Sequence, residues 1–263
     1  DRNRTSPFAF TGNKFEFRMV GSQMSLSGPN FVLNTIVADS LSEIADELEK
    51  ADDVRDCVAH LLQRYAREHR KVVFNGDNYS DEWVAEAEKR GLPNIRNAVD
   101  SMLTIMDDEN VSVLNRHGVL APEELRPRQE ILLENYGMII GIEAKTMLQM
   151  GRRQLLPAAM EYSGRLARTV RELDAVGITA APQRAELEAV TSLCTELRDA
   201  LEALADAASE VSEIEDAAEH AEACRDRLVP GMCAVREAAD ALEGCVDAEL
   251  WPLPSYAEML FIR

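Results

Sequence analysis

The chain has 263 residues, a formal net charge of −19 and a pI near 4.6, with 46% apolar and 29% charged residues. An acidic surface excludes nucleic acid as an electrostatic partner, because neutralising phosphates takes a basic one. No run resembles a membrane span or a signal peptide, so the composition is that of a soluble chain of one large or two small domains.

The first eighteen residues, Asp1 to Arg18, are basic on balance in this acidic chain, with Arg2, Arg4, Lys14 and Arg18 against Asp1 and Glu16. The run Lys14-Phe15-Glu16-Phe17-Arg18 alternates polar and aromatic residues with period two, which predicts a strand with one apolar and one wet face. Lys14, Glu16 and Arg18 then share a face. That pattern suits either a cross-strand ion pair or a site holding a divalent metal beside an anionic substrate. A lone strand is unstable without partners. The chain also lacks an initiator Met, so it is expected to be the C-terminal part of a longer protein. Asn3-Arg4-Thr5 formally matches a glycosylation acceptor, a weak signal without a secretory leader.

Beyond a Gly/Ser-rich loop, Pro29-Asn30 opens a predicted helix. Its Val32, Leu33, Ile36, Val37, Leu41, Ile44 and Leu48 recur at three and four, predicting one buried face. A second helix, about Val54 to His69, should bury Cys57, Val58, Leu61, Leu62 and Tyr65. Val72-Val73-Phe74 reads as a short extended piece, Asn75-Gly76-Asp77 as a tight turn rather than a phosphate loop, and Ser80 as the cap of a helix containing Trp83. Short helices and turns follow, ending at Arg116-His117-Gly118. There the histidine reads as a helix-terminal cation beside a turn glycine rather than a catalytic base. His60, His69 and His220 have no paired spacing that would suggest zinc.

From Pro122 to about Val176 the pattern is helical throughout, with Pro127 and Pro157 expected to kink rather than end it. Tyr136 to Glu143 is apolar nearly all round, which predicts burial on more than one side. Met138, Met147, Met150 and Met160 read as core packing in preference to a binding surface. Gly177 to Pro182 is a linker. Leu187, Val190, Cys194, Leu197, Leu201, Leu204, Ala208 and Val211 then follow a 3,4,3,4 rhythm, a heptad seam for an antiparallel partner. Another helix is expected from about Ser212 to Gly244, bent near Pro230-Gly231, with Leu228, Cys233, Leu242 and Val246 inward. The many acids of this region read as its solvated face. The apolar tail from Leu250 should dock on the subunit or across an oligomer contact. Five cysteines without C-x-x-C spacing read as reduced thiols on buried helix faces, as in cytoplasm. The fold class expected is mainly α.

Several of these stretches resemble the type III glutamine synthetases. Asn3-Arg4-Thr5 with Pro7-Phe-Ala-Phe-Thr-Gly-Asn-Lys14 and Phe15-Glu-Phe-Arg18 resembles the last catalytic segment of that family. Pro29 to Thr35, Phe74-Asn-Gly76 through Trp83, Glu130 to Tyr136, Ile142-Glu-Ala144, Leu156-Pro-Ala158 and Trp251-Pro-Leu-Pro-Ser-Tyr256 resemble class-specific segments. The resemblance runs along the whole chain and is loosest through the acidic helices. It implies ligation of ammonia to L-glutamate at the expense of ATP, through γ-glutamyl phosphate, with Mg²⁺ or Mn²⁺. It also implies Arg4 on the nucleotide phosphates, Glu16 on metal and Arg18 on glutamate or its phosphorylated form. Where more familiar classes carry a second arginine, five residues after the first, this sequence has Ala9.

By the same resemblance residues 1–120 are a C-terminal remnant of the catalytic α+β domain. Residues 121–263 are a long-helix antiparallel bundle with a docking tail. The enzyme is expected to be a cytoplasmic homo-oligomer of stacked rings, with no nucleic-acid or membrane partner. The remaining active-site residues are expected upstream of residue 1, leaving this stretch inactive alone. A non-catalytic helical scaffold is the alternative, with the bundle mediating assembly.

Overall fold

The computed structural model describes residues 8–10, 15–17, 25–76, 80–254 and 256–260. The fold is mainly α. The strands among the described residues are β1 (Phe8–Phe10) and β2 (Phe15–Phe17), an antiparallel pair with Phe8 opposite Phe17, Ala9 opposite Glu16 and Phe10 opposite Phe15. No larger sheet of a catalytic α+β remnant is present among them. No described helix is long and apolar enough to cross a membrane. The chain divides into two compact units, Asp1–Gln129 and Glu130–Arg263.

In the first unit, α1 (Ser27–Leu48) is followed by α2 (Val54–Glu68), and a 3₁₀ turn runs over His69–Val72. Asp53 caps α2 by accepting from the Arg55 and Asp56 amides, satisfying donors that a helix start leaves unpaired. Ser80 does the same for α3 (Asp81–Lys89), through the Trp83 amide. After α4 (Ala98–Leu103) comes α5 (Asp108–Arg116), which ends where Gly118 takes a φ of 61°. That left-handed conformation favours glycine.

The first helix departs from its expected single buried face. Thr35 is its buried residue, while Val32, Ile36 and Leu41 are exposed. Val58 and Leu62 of α2, also expected inside, are exposed as well, and Leu61 is the buried residue there. Apolar spacing identifies the helices but needs a partner element to bury each face. Val72 closes the 3₁₀ turn instead of opening an extended piece; Val73 is extended.

The second unit is a helical bundle. Helix α6 (Pro122–Met150) enters it, passes into a π-helical turn at Gly151–Leu155 and continues as α7 (Leu156–Ala175). A five-residue connection containing Gly177, with φ 79°, reverses the chain into α8 (Ala181–Val211). Asp216 caps α9 (Ala217–Ala223), and a second π turn, Cys224–Leu228, leads into α10 (Val229–Glu243). The segment Ser212–Asp216, expected to begin a helix, is therefore a turn and cap.

Each π turn stands just ahead of a proline. A proline ring in a regular α-helix collides with the carbonyl four residues earlier, here that of Arg153 for Pro157 and Asp226 for Pro230. Both carbonyls lie inside the widened turns, so the chain bends without ending the helix. Leu228, the last residue of the second π turn, and Met232, Val235, Ala239 and Leu242 of α10 form one buried seam at 4,3,4,3 spacing; Cys233, expected inward, falls off that spacing and is exposed.

That seam packs on α8, where Val190, Leu197, Leu201, Leu204 and Val211 are at most 1% exposed. The 3,4 rhythm of α8 thus becomes the centre of the bundle, with α7 and α10 against it. At the turn ends Arg184 pairs with Asp174, and Arg227 with Glu210. Trp251 and Leu253 of the tail lie on this core, before a last short helix, α11 (Tyr256–Leu260).

Candidate functional site

The residues singled out for chemistry lie at the start of the chain. Glu16 is the middle residue of β2, in register with Ala9. Arg4, Arg18 and Lys14 fall outside the described residues. The register adds something the sequence did not show: position 9, where this chain has alanine in place of a second arginine, stands directly opposite Glu16. Among the described residues no group of three histidine, cysteine or carboxylate side chains is placed to hold a metal ion.

Two polar clusters in the first unit were missed by sequence reasoning. His117 lies at the C-terminal cap of α5, and its Nε2 sits 2.8 Å from Asp39 Oδ1 on α1. Arg116 donates to the same carboxylate at 2.7 Å and 2.9 Å. Asp39 and His117 are about one-fifth exposed. The hydrogen bond from His117, with the Arg116 charge beside it, holds the Asp39 carboxyl below the usual range. A carboxylate 78 residues away cannot be inferred from the neighbours of His117. With both charges engaged in tying α1 to α5, the cluster is built for cohesion.

At the α1–α2 corner an open cleft of about 790 Å³ is lined by Glu47, Asp53, Asp56, His60, Arg64 and Glu68, among others. Its polar groups are largely committed. Arg64 donates both terminal nitrogens to Glu47, at 2.5 Å and 3.1 Å, Asp53 holds the start of α2, and His60 lies 3.4 Å from Asp56. Bidentate pairing of this kind fixes two helices at a corner. It leaves no converging set of free ligands.

The Phe74 segment is fixed from three sides. The Phe74 ring stacks on Trp83 at 4.3 Å, and Arg90 lies over Trp83 while donating to the Lys71 and Val73 carbonyls. A Cβ on Gly76 would come within 2.7 Å of the Phe74 ring, so any larger residue there would push the ring from its place on Trp83. The turn reading of Asn75-Gly76 is supported by that packing; Asp77 lies outside the described residues.

Residues 57–174 match the family model described as the glutamine synthetase C-terminal domain. The chain belongs to the glutamine synthetase family. Over its whole length it is 35% identical to a type-3 glutamine synthetase of Dictyostelium discoideum, covering 37% of that protein. Over 99% of its length it is 34% identical to a glutamine synthetase of Butyrivibrio fibrisolvens, covering 38% of it. A glutamine synthetase of Bacteroides fragilis is 29% identical over the whole chain, again covering 37% of the relative. The chain thus spans well under half the length of the curated relatives it matches.

Proposed function

We propose that this chain is the C-terminal part of a glutamine synthetase that joins ammonia to L-glutamate through γ-glutamyl phosphate, using ATP. The observation that carries this is similarity to glutamine synthetases along essentially the whole chain. The first eighteen residues supply the chemistry that such a reaction needs. Arg4 binds the nucleotide phosphates, where a guanidinium absorbs charge that develops as the γ-phosphoryl group leaves. Arg18 holds the glutamate carboxylate, or its acyl phosphate, in the planar two-pronged geometry that arginine provides.

Glu16 is the metal ligand in this reading. A carboxylate is a hard oxygen donor suited to Mg²⁺ or Mn²⁺, and its place on a paired strand gives it a fixed backbone. Such an ion, when bound, neutralises phosphate oxygens and so lowers the barrier to phosphoryl transfer. The single carboxylate at this position needs further ligands from outside the described residues. With alanine at position 9, opposite Glu16, a second phosphate arginine lies elsewhere or is missing. The enzyme is a homo-oligomer in this reading.

The test is Glu16→Ala in the full-length protein that carries this chain. Glutamine formation should be lost while the native mass stays unchanged. Retained turnover would remove Glu16 from the site.

A further inference from the structure

Helix α6 is apolar on two sides, and the second unit's core uses one of them. Leu133 and Ala144 are 2% and 0% exposed, and Ile140 and Leu148 pack on the core along the same side. A Cβ on Gly137, also on that side, would come within 2.3 Å of His220. The opposite side carries Ile131, Met138 and Ile142 at helical spacing, with Ile139 beside them. These four side chains are 54%, 55%, 57% and 52% exposed. Contiguous large apolar groups in water mark a surface that another element covers.

The charges beside this stripe say which element. Glu134 precedes Met138 and Lys145 follows Ile142, on the same flank of the helix. Both are exposed, and neither has an ion-pair partner among the described residues. An apolar stripe with an acid at one end and a base at the other is self-complementary when a second copy runs antiparallel. With the two-fold axis passing beside residue 140, Met138 meets the partner's Ile142, and Glu134 meets the partner's Lys145. Each contact then occurs twice. A parallel pair would instead set like charges together at both ends.

We propose that α6 is an interface helix whose Ile131–Met138–Ile142 face pairs antiparallel with α6 of a second copy of this chain. The contact concerns the second unit alone and does not depend on the roles given to Arg4, Glu16 and Arg18. Association places the stripe in the same dry environment as the core side of the helix, and the flanking charges select the antiparallel register.

The experiment is the native mass of the full-length protein that carries this chain, followed on dilution. Ile142→Asp should reduce the assembly to half its mass or a smaller division, with the far-UV circular dichroism unchanged. Glu134→Lys and Lys145→Glu should each raise the dissociation constant several-fold, and the two together should restore it. A wild-type monomer, or an unchanged mass with Ile142→Asp, overturns the proposal. So does a lowered Tm at unchanged mass, because the stripe is then covered by the same polypeptide. A double reversal no better than the weaker single variant overturns the antiparallel register.

Discussion

Leu201 and Gly151 offer a direct test of how the second unit is packed. Leu201 is 1% exposed at the centre of α8, and its Cδ2 lies 2.6 Å from where a Cβ on Gly151 would be. The leucine fills the space that the missing side chain leaves at the start of the π turn. Leu201→Ala should cost about 3–4 kcal/mol, from lost burial plus a residual cavity. Gly151→Ala alone forces a methyl group into occupied space, which costs about 1–3 kcal/mol. Its better helix propensity returns about 1 kcal/mol, so the net effect should be mildly destabilising. Combined with Leu201→Ala, the same methyl group enters the cavity and should stabilise by about 1–2 kcal/mol. The sign of the glycine substitution therefore reverses between backgrounds, a coupling of about 2–3 kcal/mol. Urea unfolding followed at Trp251, in a Trp83→Phe background, reads the second unit. Effects of Gly151→Ala that agree within about 0.5 kcal/mol in the two backgrounds would refute this packing.

The Asp39 carboxyl is held below its unfolded range by His117 and Arg116, so its contribution is present above the ordinary aspartate pKa and is lost as pH falls through the lowered value. The amide protection factors of α1 and α5 should fall on acidification below about pH 4, and Asp39→Asn should flatten that acid limb; an unchanged limb would show that the pair does not tie the helices. Burial pushes the Cys194 and Cys224 thiols up, whereas Cys233 is exposed. Iodoacetamide at mildly alkaline pH should label Cys233 first and reach Cys194 and Cys224 only after unfolding, as read by peptide mass. Early labelling of either buried thiol would contradict the seam.

Elements set by local chemistry were legible in the sequence. The Ser80 cap, the heptad rhythm of α8 and the helical course through Pro157 each rest on residues a few positions apart. Features set by tertiary encounter were not legible. Asp39 meets His117 across 78 residues, and nothing beside either residue announces it. Cys233 was expected inward but lies five residues after Leu228, off the regular 4,3,4,3 spacing of the buried seam, and is exposed. Val32, Ile36 and Leu62 have apolar spacing but are exposed, with no element of the described residues over them, because periodicity identifies a face and not its partner. At the candidate site the strand alternation around Glu16 was readable, but the register that sets Ala9 against it required the paired backbone.

Glu16, on the proposal above, serves a glutamine-forming site. The most direct measurement is ATP-dependent glutamine formation by the full-length protein that carries this chain, wild type against Glu16→Ala, with native mass recorded for both. Turnover is expected in the wild type, with a fall of at least ~100-fold in the variant at unchanged mass, the scale expected when a group stabilising transition-state charge is removed. Equal turnover in the two proteins would contradict that role.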